Sequence, residues 1–100
     1  MSIKQKKDRL ETVEVRELVR VVSFLKNTQE AKKFLRDLMT ENELLEFANR
    51  WRVARMLAEG VSYVAIEKAT GMSSTTVARI HKWLLKGTGG YRMMLKRFKP

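Results

Sequence analysis

The sequence predicts an all-α fold of about six helices, and three observations carry that prediction. Proline occurs only at Pro100 and glycine only at positions 60, 71, 87, 89 and 90, so the stretches between them contain no helix breaker. Apolar residues recur at helical spacing along most of the chain, and no β-branched run is followed by a turn signal and a second strand to pair with. Polar residues suited to capping stand where those periodic segments begin. The 100 residues make one domain, 9–100, behind a flexible basic arm at 1–8. A chain of this size buries about 65% of its unfolded surface, a modest core that a second subunit would enlarge.

The first helix is expected over residues 9–26. Leu18, Val21, Val22 and Leu25 form one stripe, and Val15, Val19 and Phe24 extend the apolar surface well beyond it. The valines of 18–25 suit a strand, but nothing in the sequence would pair with it. A helix apolar over so much of its circumference needs cover on two sides, which points to intertwining with a second copy. A second helix follows over about 29–38, capped by Asn27 or Thr28. Thr40 and Glu43 then have the spacing of a capping box and open a long third helix to about residue 59. Its expected buried face is Leu44, Phe47, Trp51, Ala54 and Leu57, and Gly60 is placed to end it in a left-handed conformation.

Residues 62–85 have the pattern of a helix-turn-helix. Ser62 caps a short helix with Ile66 and Ala69 inward, Gly71 supplies the positive φ of a tight turn, and Met72 plugs the corner. Ser73 or Ser74 caps the next helix, whose inner face is Val77, Ile80 and Leu84. The helix start carries Ser73, Ser74, Thr75 and Thr76, and the outer face continues with Arg79 and Lys82. A cap accounts for one hydroxyl, not four in succession. Short hydroxyls at a helix start suit close approach to a groove floor, and Arg79 can fork onto a guanine edge or grip a phosphate. Glu67 is a departure, because most such units carry a small residue where the helices cross.

Charge supports a polyanionic partner. The net charge is +10, and its distribution is lopsided. Residues 1–50 hold 11 Lys/Arg against 9 Asp/Glu, whereas residues 51–100 hold 10 against only Glu59 and Glu67. With no cysteine and a single histidine, His81, the chain has no material for a thiolate, a metal site or a nucleophile–base pair, so it is not read as an enzyme. No apolar run approaches the 18–20 residues of a membrane span, and the N-terminus lacks a signal-peptide core, so a cytoplasmic, nucleoid-associated protein is expected.

Three function classes fit these features. The first is a sequence-specific binder of double-stranded DNA that acts as a transcriptional repressor. The second is an RNA-binding or ribosome-associated basic module. The third is a helix-turn-helix that contacts RNA polymerase. The hydroxyl-rich helix start favours the first.

Gly87-Thr88-Gly89-Gly90 lacks the ending of a phosphate-binding loop and reads as a hinge. Beyond it Tyr91, Met94, Leu95 and Phe98 share one helical face, with Arg92, Lys96 and Lys99 facing away. Such a tail can lie on a membrane or pack onto a dimer, and two turns favour packing. Trp51 and Trp83, on or beside inward positions, read as core residues rather than base-stacking platforms.

At Met39-Thr40-Glu41-Asn42-Glu43, Asn49-Arg50-Trp51-Arg52-Val53 and Glu59-Gly60, followed by the turn motif, the chain resembles the Trp repressor superfamily. The tail Gly87-Thr88-Gly89-Gly90-Tyr91-Arg92 is similar to its YerC/YecD-type branch. The resemblance covers about residues 37–95 and implies six helices, an intertwined homodimer and transcriptional regulation in a bacterium. It also softens the objection at Glu67, where those repressors carry a long polar residue too. By position, Thr40, Arg50 and Arg79 fall where Trp repressors hold tryptophan, and Ser74, Thr75, Thr76 and Ala78 fall on the DNA-facing part of the recognition helix. Ile80 stands where those repressors have a glycine that leaves room for the indole. Its side chain fills that space, which implies DNA binding without a tryptophan-like co-ligand.

Overall fold

A computed structural model describes residues 8–100. Among the described residues there are six α-helices and no strand, in agreement with the predicted class. The basic arm expected at 1–8 lies outside the described residues except for Asp8, whose carboxylate accepts from the Leu10 N–H at 2.9 Å in a local turn. The chain divides into two compact units, Met1–Leu38 and Met39–Pro100, where the sequence alone suggests one domain over 9–100.

In the first unit, α1 (Val13–Val22) starts where the Thr12 hydroxyl accepts from the Val15 N–H, at 3.1 Å. It ends where the Ser23 hydroxyl donates back to the Arg20 carbonyl, at 2.5 Å. It is therefore shorter at both ends than the expected 9–26, because two short polar side chains compete with the helical ladder. Next, α2 (Thr28–Leu38) follows a reciprocal cap: Asn27 accepts from the Glu30 N–H at 2.9 Å, and the Glu30 carboxylate accepts from the Lys26 N–H at 3.0 Å. Neither helix buries a residue. Val13, Val19 and Phe24 are each more than 60% exposed, so the two helices do not cover the apolar surface of their own unit.

In the second unit, α3 (Glu41–Ala58) opens with the expected capping box: Thr40 Oγ1 accepts from the Glu43 N–H, and Glu43 Oε1 accepts from the Thr40 N–H. These bonds to its charged form hold the Glu43 carboxyl below its ordinary pKa. The helix ends in a Schellman turn, with the Gly60 N–H donating to the Leu57 carbonyl and the Val61 N–H to Met56. The remaining helices are α4 (Tyr63–Thr70), α5 (Ser74–Lys86) and α6 (Gly90–Arg97).

Val53, Ala54, Ile66, Val77 and Ile80 form a fully buried cluster, so α3, α4 and α5 meet at one centre. Two expectations change here. On α3 only Ala54 of the expected face is fully buried, joined by Val53, while Phe47 stays 40% exposed. The core meets only the C-terminal half of the helix, and the N-terminal half has no cover within this unit. On α4, Ala69 is exposed rather than inward.

The tail also differs from expectation. Arg92 does not face away: its guanidinium turns back to donate to the Leu84 carbonyl at 2.9 Å and to that of Leu85. It thus occupies orphan carbonyls at the C-terminal end of α5. Gly87 is required by close approach, since a Cβ there would run into the Trp83 carbonyl that its own N–H bonds at 2.8 Å. Trp83 is no core residue either, being 40% exposed, whereas Trp51 is half-buried with Phe98 edge-on at 5.7 Å.

Candidate nucleic-acid interface

The candidate surface is the outer face of α5, and three devices fix it to the core. Gly71 takes φ 74°, a left-handed conformation that costs an L-residue about 1–2 kcal/mol, and so turns the chain sharply between α4 and α5. Thr70 fills the hydrogen-bonding gap in that turn. Its hydroxyl donates to the Ile66 carbonyl at 2.8 Å and accepts from the Met72 N–H at 3.2 Å. From α3, Arg52 Nη1 donates to the Ala69 carbonyl at 3.2 Å, tying the end of α4 to the long helix. Beneath the surface Val77 and Ile80 are fully buried and Leu84 nearly so, the inner face read from the sequence.

Ser73 is the N-cap of α5: its hydroxyl accepts from the Thr76 N–H at 3.2 Å and donates to Thr76 Oγ1 at 3.1 Å. Ser73 and Thr76 are thus bonded to each other. Ser74 and Thr75 are exposed, and among the described residues their hydroxyls make no hydrogen bond to the chain. Ala78, Arg79 and Lys82 are exposed on the same side, opposite Val77, Ile80 and Leu84. No acidic residue follows Glu67, so this face and everything C-terminal to it are cationic.

The three residues at the tryptophan-holding positions belong to two helices, α3 with its N-cap and α5. Thr40 caps α3, and Arg50 lies ten residues on, about 15 Å along the axis at 1.5 Å per residue. The Arg50 guanidinium stacks over Phe47 at 5.4 Å and Trp83 at 5.9 Å, with its Nε buried and unpartnered. Trp51, Trp83, Tyr91 and Met94 line a cleft of about 530 Å³ beside it. Burial raises the Tyr91 phenol pKa, opposed by the nearby positive charge of Arg50. Arg79 is exposed on α5, and Ile80 is locked in the core.

The family model described as "Trp repressor protein" matches residues 13–99. The chain belongs to the Trp repressor family. Its relatives include the uncharacterized protein YerC of Bacillus subtilis (strain 168), 40% identical over 92% of this chain and 88% of that protein. Two crystal structures share the fold of this family member. A TrpR-like protein from Eubacterium eligens ATCC 27750 superposes with a TM-score of 0.82 at 36% identity, covering 89% of this chain and 92% of that one. A protein from Staphylococcus aureus described as a candidate Trp repressor gives 0.82 at 32% identity, covering 94% of each chain. The Trp repressor-like fold is regulatory and DNA-binding rather than one of an enzyme family. Among the described residues no His, Cys, Asp and Glu group suits a metal ion, and no helix is long and apolar enough to cross a membrane.

Several supports of the site were not legible from spacing. Arg52 meets Ala69 across 17 residues, and Tyr63 meets His81 across 18, where its hydroxyl lies 2.6 Å from Nδ1. Periodicity reports which face of a helix is apolar. It carries no information on which polar side chain reaches across to a neighbouring helix.

Proposed function

We propose that this chain is a sequence-specific double-stranded DNA-binding regulator, a repressor, that works as a homodimer in the cytoplasm and at the nucleoid. The observation that carries the reading is the division of labour on α5. Ser73 and Thr76 are spent on the cap, while Ser74, Thr75, Ala78, Arg79 and Lys82 stand outward on a helix whose inner face is fixed in the core. Hydroxyls and a methyl near the helix start suit the edges and thymine methyls of a major-groove floor. Arg79 suits a guanine edge, and Lys82 a phosphate.

The dimer is supported by the apolar face that the first unit does not cover itself and by Leu45 and Phe47, exposed on α3. Two copies would set their reading helices about 34 Å apart, one turn of B-DNA. Ile80, with no exposed surface, supports regulation without a tryptophan-like co-ligand.

Mobility shifts on a palindrome selected from random duplex, against a scrambled duplex and folded RNA, test this function. The palindrome should be preferred, unchanged by tryptophan, and Arg79→Ala should weaken it by about 1–3 kcal/mol. Equal affinity for palindrome and scrambled DNA, or preference for RNA, would overturn it. Tryptophan-dependent binding would refute the reading of Ile80.

A further inference from the structure

The exposed stripe that begins at Ser74 and Ala78 continues to a shallow groove on α5 lined by Ala78, His81, Lys82, Leu85 and Lys86, about 340 Å³ in volume. Its lining combines Leu85, an apolar side chain left 54% exposed, with two lysines and an imidazole. The His81 ring is held from the other helix. The Tyr63 hydroxyl lies 2.6 Å from Nδ1, and the two rings meet edge-on at 5.7 Å.

A phenol is a stronger donor than a neutral imidazole N–H, and an imidazole nitrogen is a stronger acceptor than a phenol oxygen. Donation from the Tyr63 O–H to Nδ1 is the stronger of the two pairings, and with it the neutral ring carries its proton on Nε2. We propose that the groove is a sugar–phosphate clamp, in which the His81 Nε2–H together with Lys82 and Lys86 holds a backbone phosphate and Leu85 seats the deoxyribose. Tyr63 is its positioning residue.

The clamp rests on the duplex-binding reading and extends it to a part of α5 that contacts no base. His81 and Lys86 lie seven and twelve residues beyond Ser74, about 10 and 18 Å along the axis. The major groove is about 12 Å wide, so a helix whose start reaches its floor brings these residues to the phosphate rim.

The test reads the ring directly. Long-range proton–nitrogen correlation spectra of the free protein, in alkaline buffer where imidazole is neutral, should show His81 protonated on Nε2, and Tyr63→Phe should yield a mixture of tautomers. Saturating duplex should shift the Nε2 resonance. His81→Asn should lower duplex affinity about tenfold, equally for palindrome and scrambled DNA, because a lost charge-assisted hydrogen bond to phosphate carries no sequence information. His81→Gln, which keeps a donor near the Nε2 position, should retain most of the affinity. Lys86→Ala should reduce the salt slope by about 0.9.

A proton on Nδ1, or an Nε2 resonance unmoved by bound duplex, would overturn the clamp and leave the DNA-binding reading standing. If no duplex binds at any salt concentration, the DNA-binding reading falls and the clamp falls with it.

Discussion

Arg52 of α3 and Ala69 of α4 are joined by a hydrogen bond of 3.2 Å, from the guanidinium to a carbonyl in the last turn of the first helix-turn-helix helix. The bond satisfies an acceptor that the helix end leaves open and places a cation at the negative end of its dipole. It also ties α4, which carries one half of the turn, to the long helix that supplies Val53 and Ala54 to the core.

Arg52→Met keeps much of the side chain's apolar stem and removes the bond. It should cost about 1 kcal/mol by denaturant unfolding, as an exposed hydrogen bond does, and weaken duplex binding by loosening α4 against α5. Unchanged stability together with unchanged binding would show that the tie contributes nothing.

The two kinds of hydroxyl on α5 should separate cleanly. Ser73→Ala removes the cap and should destabilise the protein by about 1 kcal/mol, a fall in Tm of about 4–8 °C for a chain of this size. Ser74→Ala with Thr75→Ala should leave Tm within about 2 °C yet reduce discrimination between palindrome and scrambled duplex. Calorimetry alongside mobility shifts distinguishes the two.

The capping box makes a prediction about acid. The folded-state pKa of Glu43 lies below its ordinary value of 4.5, so its contribution is fully present above about pH 4.5 and is lost as pH falls through the depressed folded value. The difference in Tm between the wild type and Glu43→Ala should therefore be constant near neutrality and narrow below pH 4.5. A difference that widened in acid would contradict this sign.

Val19 and Val22 are 64% and 46% exposed on α1, on the apolar surface assigned to a second copy. Changing both to Glu places charge on that surface and should halve the sedimentation mass. An unchanged mass would refute the role given to α1.

The fold was readable where local chemistry decides it. The Thr40–Glu43 box, the Gly71 turn and the Val77, Ile80 and Leu84 stripe all depend on residues within a few positions of each other, and all three stand as read. Tertiary geometry decides the rest. Phe47 and Trp83 look inward by spacing but each stays 40% exposed, partly covered by Arg50, and Arg92 looks solvent-facing but folds back over 8 residues onto Leu84. The same holds at the site. Its outward residues follow from helical period, whereas Arg52 and Tyr63, which hold it in place, come from other helices.

Backbone amide spectra of the protein titrated with its selected palindrome test the reading face most directly. The largest shifts should fall at Ser74, Thr75, Ala78 and Arg79, with buried Val53 and Ile66 nearly still. Saturation of the duplex with those four amides unmoved and the strongest shifts on α1 or α2 would contradict it.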